Sequence, residues 1–186
     1  MRVPATSRRW PLSFSIPTFG LFSFCVAFFF SFAFLNFLSP QDWKDLSPTK
    51  AGELSGPQIV SFLSLSAGMA AAGSGMLLWG LLIVLPWKWL QTKAQGMTVL
   101  FGSLIGLIEI LCTSCIMWVI YVLLILFILP PSSDTANTLL ALLPSGSLGL
   151  GIFTLVIVSF ASKGIVFLVG IGTSLFFALL ARRIFS

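Results

Sequence analysis

Two charged side chains, Glu109 and Lys163, stand inside otherwise apolar sequence, and they have the clearest potential for chemistry. A charge within a bilayer is costly, so such residues are usually paired, protonated or functional. Glu109 follows Gly102 and Gly106, and positions 102, 106, 109 and 113 fall on one face of a helix. We therefore predict that Glu109 points into a helix bundle or an interface between subunits.

Lys163 has a similar setting in the last apolar stretch, where Ser159, Lys163, Gly170 and Ser174 would share one helical face. One interpretation is a buried ion pair between Glu109 and Lys163, although continuous helices would leave them roughly 9 Å apart in depth. In the other, Lys163 extends to the membrane surface while Glu109 is protonated or paired elsewhere. Structural roles for both residues are favoured over ion translocation.

The remaining reactive groups are three cysteines. Cys112 and Cys115 form a CxxC pattern, and Cys25 lies in the first apolar stretch. A CxxC inside a long helix lacks the position at a helix N-terminus that makes a thiol reactive. With no histidine in the chain, haem ligation by histidine, histidine-based zinc sites and histidine general bases are excluded. We predict no catalytic site, no metal and no cofactor.

The elements that position these residues must be membrane helices. Hydrophobic residues make up 58% of the chain and charged residues 8%, far below the roughly 25% of soluble domains. About 20 apolar residues suffice for a helix to cross a bilayer. The prediction is an all-α, four-helix transmembrane bundle with spans over 14–38, 58–87, 97–130 and 148–181. Loops are expected at 39–57, 88–96 and 131–147, and the alternative is a break at Ser162-Lys163-Gly164 that gives five spans.

The placement of basic residues predicts the orientation. With four spans, seven basic residues fall on one side of the membrane and two on the other, and the richer side is expected to be cytoplasmic or matrix-like. Both termini are thus predicted inside, and the charge indicates contact with the lipid bilayer rather than nucleic acid. Expected interface anchors are Trp10, Trp43, Trp87 and Trp89.

Small residues recur every four positions in the second stretch, a pattern that lets membrane helices approach closely. One ridge holds Ser64, Gly68 and Ala72, and the next holds Ala67, Ala71 and Gly75. Further packing positions are Gly102, Gly106, Gly170 and Ser174. The first stretch, in contrast, is crowded with phenylalanine and is predicted to be peripheral.

These patterns favour a non-enzymatic accessory or assembly subunit that packs with other membrane protein subunits. The small-residue ridges and the absence of a catalytic pattern support that interpretation. The alternative is a component of an ion- or proton-coupled transporter or channel that uses Glu109 together with Lys163.

Overall fold

The computed structural model describes residues 12–38, 55–93, 95–128 and 133–185, and helices form nearly all of these segments. The predicted all-α membrane class is confirmed. Four helices in the described part of the chain are long and apolar enough to cross a membrane, so the protein is a multi-pass membrane protein. These candidate spans are Leu12–Phe37, Gly56–Val84, Gln95–Leu124 and Ile165–Ile184.

Six α-helices follow one another along the described residues, preceded by a short 3-10 turn at Leu12–Phe14 and interrupted by one π-helical turn. They are α1 (Ser15–Leu38), α2 (Gly56–Trp79, continued by the π turn Gly80–Val84), α3 (Trp87–Thr92), α4 (Gln95–Ile128), α5 (Ser133–Ala161) and α6 (Ile165–Phe185).

Local sequence explains both ends of α2. The side chain of Gln58 accepts a hydrogen bond from the backbone N–H of Ser55 at 2.9 Å, and Pro57 occupies the first turn, where its missing N–H costs nothing. At the other end, the five-residue π turn closes with a bond from Leu85 N to Gly80 O. Pro86 follows and has no N–H with which to continue the helix. The regular α2 helix therefore ends at Trp79, well before the predicted boundary at residue 87.

The bundle is centred on α2 and α4. Helix α1 packs along α2, α2 packs on α4, and α4 contacts both α5 and α6. A larger share of α2 is buried than of any other spanning helix, because its small residues let neighbouring helices approach closely. The apolar core lies where α1 begins and α6 ends, beside α3. We call this the Arg182 end, and the opposite end, where α1 finishes and α2 starts, the Leu38 end.

The predicted single span over 148–181 is wrong, because the chain turns at the Ser162-Lys163-Gly164 sequence. Helix α5 stops at Ala161 in a Schellman motif, in which Gly164 N bonds to Ser159 O and Lys163 N bonds to Phe160 O. Lys163 and Gly164 both have positive φ angles, of 49° and 79°. The sequence alternative located this break, but the fourth long apolar helix is α6 alone, and the apolar part of α5, Ser145–Ala161, is shorter than a span.

Two predicted loops are also largely helical. The loop at 88–96 contains α3, whose Trp87 and Leu90 are buried in the core, while the intervening residues face outward. A short amphipathic helix is favoured there because the burial of two apolar side chains offsets the conformational entropy that the segment loses when it becomes ordered. The loop at 131–147 is helical from Ser133 onward. Most of the predicted loop at 39–57 lies outside the described residues.

The turn between α5 and α6 yields a stability prediction. Replacing Gly164 with alanine forces an L-residue into left-handed backbone, so we expect a loss of about 1–2 kcal/mol in unfolding free energy. Lys163→Gly should instead stabilise the protein, because it removes the same penalty at the preceding residue. Denaturation by SDS in mixed micelles measures both. Equal stability of Gly164→Ala and wild type would show that this turn is not held as described.

Candidate functional site

Glu109 lies in the interior of the bundle, with 7% of its surface exposed. Three other helices surround it. Ser174 of α6 donates a hydrogen bond from Oγ to Glu109 Oε2 at 3.3 Å. On α2, Gly75 faces Oε1, and on α1 the hydroxyl of Ser23 lies beside the same glycine. The carboxylate therefore sits where α1, α2, α4 and α6 meet.

Gly75 makes room for this carboxylate. A Cβ atom at that position would lie 2.8 Å from Glu109 Oε1, 3.1 Å from Ser23 Oγ and 3.2 Å from the ring of Phe19. The first distance is closer than a Cβ atom tolerates and the other two are tighter than usual, so any larger residue would displace the acid or its neighbours. Ser23 Oγ is itself buried and makes no hydrogen bond of standard geometry. A buried hydroxyl without a hydrogen bond of standard geometry is unusual in a protein interior.

Two glycines bring α4 and α6 into backbone contact below Glu109. A Cβ atom on Gly106 would lie 2.7 Å from the carbonyl oxygen of Gly170, and one on Gly102 would lie 3.0 Å from Cβ of Ala178. The residue numbers fall along one helix as they rise along the other, so α4 and α6 are antiparallel. This approach brings Ser174 within hydrogen-bonding distance of Glu109.

Below the carboxylate, toward the Arg182 end, the bundle is closed by aromatic packing. Phe19 and Trp79 stack with ring centroids 4.5 Å apart, and Phe177 meets Phe19 edge-on at 5.4 Å. The indole N–H of Trp79 donates to Ser15 Oγ at 2.9 Å, which fixes the ring. Phe19, Trp79 and the neighbouring Ile105 are fully buried. We call Phe19, Trp79 and Phe177 the aromatic floor.

Above Glu109, toward the Leu38 end, the helices enclose a half-open cavity of about 250 Å³. Its walls are almost wholly apolar, and Glu109 is the only one of its lining residues that carries a charge in the described part of the chain. Five helices contribute walls: α1 from Ser23 to Leu35, α2 from Leu63 to Ala71, α4 from Glu109 to Trp118, α5 from Thr154 to Val158, and α6 from Val166 to Thr173.

Lys163 is not the partner of Glu109. Its side chain is exposed in the turn between α5 and α6, and the helix from Ile165 to Ser174 then runs about 14 Å toward the Arg182 end before it reaches the level of Glu109. Ser159 lies before the turn and Gly170 after it, so the predicted common face does not exist. Of the described residues, none forms a salt bridge with Glu109, and its one hydrogen bond of standard geometry comes from Ser174.

The basic residues of the described segments collect elsewhere. Arg182 donates from its guanidinium to Thr98 Oγ1 at 2.9 Å and to the carbonyl oxygen of Lys93 at 3.1 Å, which fastens the end of α6 to the start of α4. The ammonium of Lys93 lies over the ring of Trp89 at 5.5 Å. These cations sit beyond the aromatic floor, so they leave the carboxylate without a neighbouring positive charge.

The predicted packing residues line helix contacts inside the chain. Gly68 faces Phe24 of α1, while Ala67 and Ala71 line the cavity. Ser64 is buried and Ala72 is half-buried. Both ridges of α2 are thus used mainly within this protein rather than offered to a partner.

Two of the four expected interface anchors can be located. Trp89 is 46% exposed and stands against Phe101, a position compatible with a membrane surface. Trp87 is instead buried in the core, so its prediction as an anchor is wrong: the π turn and Pro86 redirect the chain and turn this ring inward. Trp10 and Trp43 lie outside the described residues.

The CxxC segment packs between helices. A Cβ atom on Gly151 of α5 would lie 2.7 Å from Cα of Cys115, so α5 crosses α4 in backbone contact there. Nearby, the indole of Trp118 donates to Thr154 Oγ1 at 2.9 Å. Cys25, Cys112 and Cys115 are all free thiols. No group of three potential metal ligands occurs among the residues with described positions.

Sequence reasoning missed the contribution of α1. The phenylalanine content predicted a peripheral helix, yet Ser23, Ala27 and Ser31 form a stripe that lines the cavity. Their spacing of four residues was a signal for a facing surface. The hydroxyl contact between Ser74 and Thr113, 3.3 Å apart, was similarly visible only once α2 and α4 were paired.

Comparisons with protein-family models, with curated proteins and with solved structures found no match for this chain. The class of the protein therefore rests on its own fold. It is a multi-pass helical membrane protein in which the buried carboxylate of Glu109 lies between a closed half of the bundle and a cavity.

Helix proximity at Glu109 can be tested with glycine substitutions. Gly106→Ala should lower the unfolding free energy by about 1–3 kcal/mol, because the new methyl group meets the backbone of α6. Gly172→Ala is the matched control, since a Cβ atom there has open space and alanine favours a helix. SDS denaturation compares the two variants. Unchanged stability of Gly106→Ala would contradict the close α4–α6 contact.

Proposed function

We propose that this chain is a non-enzymatic membrane protein that exchanges a proton or another cation at Glu109, as a component of a transporter or carrier. The observation that carries the proposal is a buried carboxylate at the base of a cavity that is closed on one side by the aromatic floor. Ionisable groups at such depth in a membrane protein mark ion or substrate pathways.

The asymmetry of the bundle supports exchange with one side at a time. The half toward the Arg182 end contains the buried aromatic rings and Ile83, whereas the half toward the Leu38 end contains the cavity. A site that moves cargo across a membrane needs such a one-sided approach, because a continuous opening would leak. In the orientation predicted from the basic residues, the Arg182 end would face the inner side and the cavity would extend toward the outer side.

Lys163 has no part in this proposal. It is exposed and remote from the carboxylate, so it does not modulate the charge of Glu109 directly. The hydroxyls of Ser174 and Ser23 replace it as the groups nearest to the acid. Glu109 then acts as the charge that is neutralised in turn by a proton or by a cationic cargo.

The function is tested by proton flux in reconstituted vesicles that contain a pH-sensitive dye. Glu109→Gln keeps the shape and most hydrogen bonds of the side chain but removes its exchangeable proton, so flux should fall to the level of empty vesicles. Lys163→Gln is the control and should retain wild-type flux. Undiminished flux in Glu109→Gln, at equal protein incorporation, would rule the transport function out.

A second candidate is an accessory or assembly subunit of a larger membrane complex. The observation that favours it is the outer surface of α5, where Leu148, Phe153 and Phe160 are exposed and Gly149 has open space in front of it. The apolar part of this helix is shorter than a span, so a neighbouring subunit could complete its environment. Small residues on such a surface permit close approach by another helix.

Purification in a mild detergent separates the two candidates. An accessory subunit should elute with a second membrane protein in fixed ratio, and Gly149→Leu should abolish that association by filling the open surface of α5. Gly172→Leu, at an open position on α6, should leave it intact. Elution of the wild-type chain alone would contradict the accessory function.

A further inference from the structure

We propose that the cavity binds a lipophilic primary or secondary amine in its ammonium form, with the nitrogen between Glu109 and Ser23 and the apolar body toward the Leu38 end. This inference rests on the proposed function, since it names the class of cargo that would exchange with the proton. Three features of the cavity select this chemistry: one charge, one buried hydroxyl without a hydrogen bond of standard geometry, and apolar walls.

The single negative charge of Glu109 favours a ligand with one positive charge. Among the described residues that line the cavity only Glu109 is charged, and the basic side chains of the described segments stand at the Arg182 end or in the exposed turn at Lys163. One ammonium group would neutralise the carboxylate, and their attraction is strong in a medium of low dielectric constant. A dication would bring a second buried charge without a partner, and an anion would be repelled.

The hydroxyl of Ser23 adds a requirement for an N–H donor. Ser23 is 3% exposed, its Oγ makes no hydrogen bond of standard geometry, and it lines the cavity beside the carboxylate. Leaving such a group unsatisfied costs free energy that a bound donor would recover. An ammonium with two or more N–H groups can donate to Glu109 and to Ser23 at once, whereas a quaternary ammonium has no N–H to give.

The walls disfavour a metal ion and favour a hydrocarbon body. Calcium and similar hard cations take six or more oxygen ligands, usually with several carboxylates or carbonyls among them, and among the described residues lining the cavity Glu109 supplies the one carboxylate. The upper walls are instead formed by alkyl and aromatic side chains, including Phe30 and Phe34, whose rings stack at 5.9 Å. A small ligand with an aromatic or alkyl body buries apolar area there.

The experiment measures equilibrium binding of tritiated 4-phenylbutylamine to the full-length protein in nanodiscs, with empty nanodiscs to subtract partition into lipid. Saturable binding of one ligand per chain is expected. Glu109→Gln should weaken it at least tenfold, because the counter-charge is lost, and Lys163→Gln should leave it unchanged. The alcohol 4-phenylbutanol, which has the same body without the charge, should compete at least tenfold less well than unlabelled amine.

A second comparison tests the role of Ser23. Ser23→Ala should weaken the binding of 4-phenylbutylamine several-fold and leave that of trimethyl(4-phenylbutyl)ammonium unchanged, since the latter donates no hydrogen bond. Ala27→Phe, which fills the cavity without altering a polar group, should abolish the binding of both. SDS denaturation checks that each variant remains folded, and a variant that does not is replaced by Ala27→Leu or Ser23→Gly.

Several results would overturn the inference. Equal binding of the amine by wild type and Glu109→Gln, or equal competition by the alcohol, would show that the cavity is only an apolar space filled by lipid. Absence of saturable binding would do the same. If proton flux depends on Glu109 but no amine binds, the amine is not the cargo and the proposed transport function stands. If the amine binds but no flux is measured, the binding site is supported and the transport function is contradicted.

Discussion

The contact of α4 with α6 at Gly106 and Gly170 is the constraint on which the arrangement around Glu109 depends. Apolar surface gives membrane helices no aqueous driving force to associate, so close packing and interhelical hydrogen bonds must hold them together. Here the missing side chains bring the two backbones into contact and bring Ser174 within 3.3 Å of the carboxylate. A wider separation would break that bond and open the core beneath it.

On the opposite side of Glu109, the missing side chain of Gly75 lets α2 approach the carboxylate closely. This approach and the contact between α4 and α6 together determine how the acid is accommodated. One carboxylate oxygen accepts a hydrogen bond from Ser174, and the other occupies the space that Gly75 leaves free. Among the described residues, no cation pairs with either oxygen. A buried carboxylate without a counter-charge is costly in this environment, and such a cost is usually retained where the group has a function. A purely structural acid would be expected to have a basic neighbour, yet the described cations lie beyond the aromatic floor or, in the case of Lys163, in the exposed turn between α5 and α6.

The membrane class, the four long apolar helices and the interior position of Glu109 follow from run length and helical periodicity, both of which are local properties of the chain. The ion pair with Lys163 could not be judged in this way, because its geometry depends on a turn between α5 and α6. Lys163 adopts the left-handed conformation that glycine usually provides at this position, so composition gave only a weak signal. The burial of Trp87 and the cavity stripe on α1 arise from tertiary pairing, which local patterns do not specify.

The position of the aromatic floor has a consequence for movement through the bundle. Any group that passes from Glu109 to the Arg182 end must displace Phe19 or Trp79, since both rings are fully buried directly below the acid. The regular part of α2 ends at Trp79, where the π turn and Pro86 replace normal helical hydrogen bonding. Backbone irregularities of this kind allow a helix to bend with less loss of hydrogen bonds, and they are frequent at functional sites. The ring that closes the pathway is therefore attached to the point of α2 that can bend most readily.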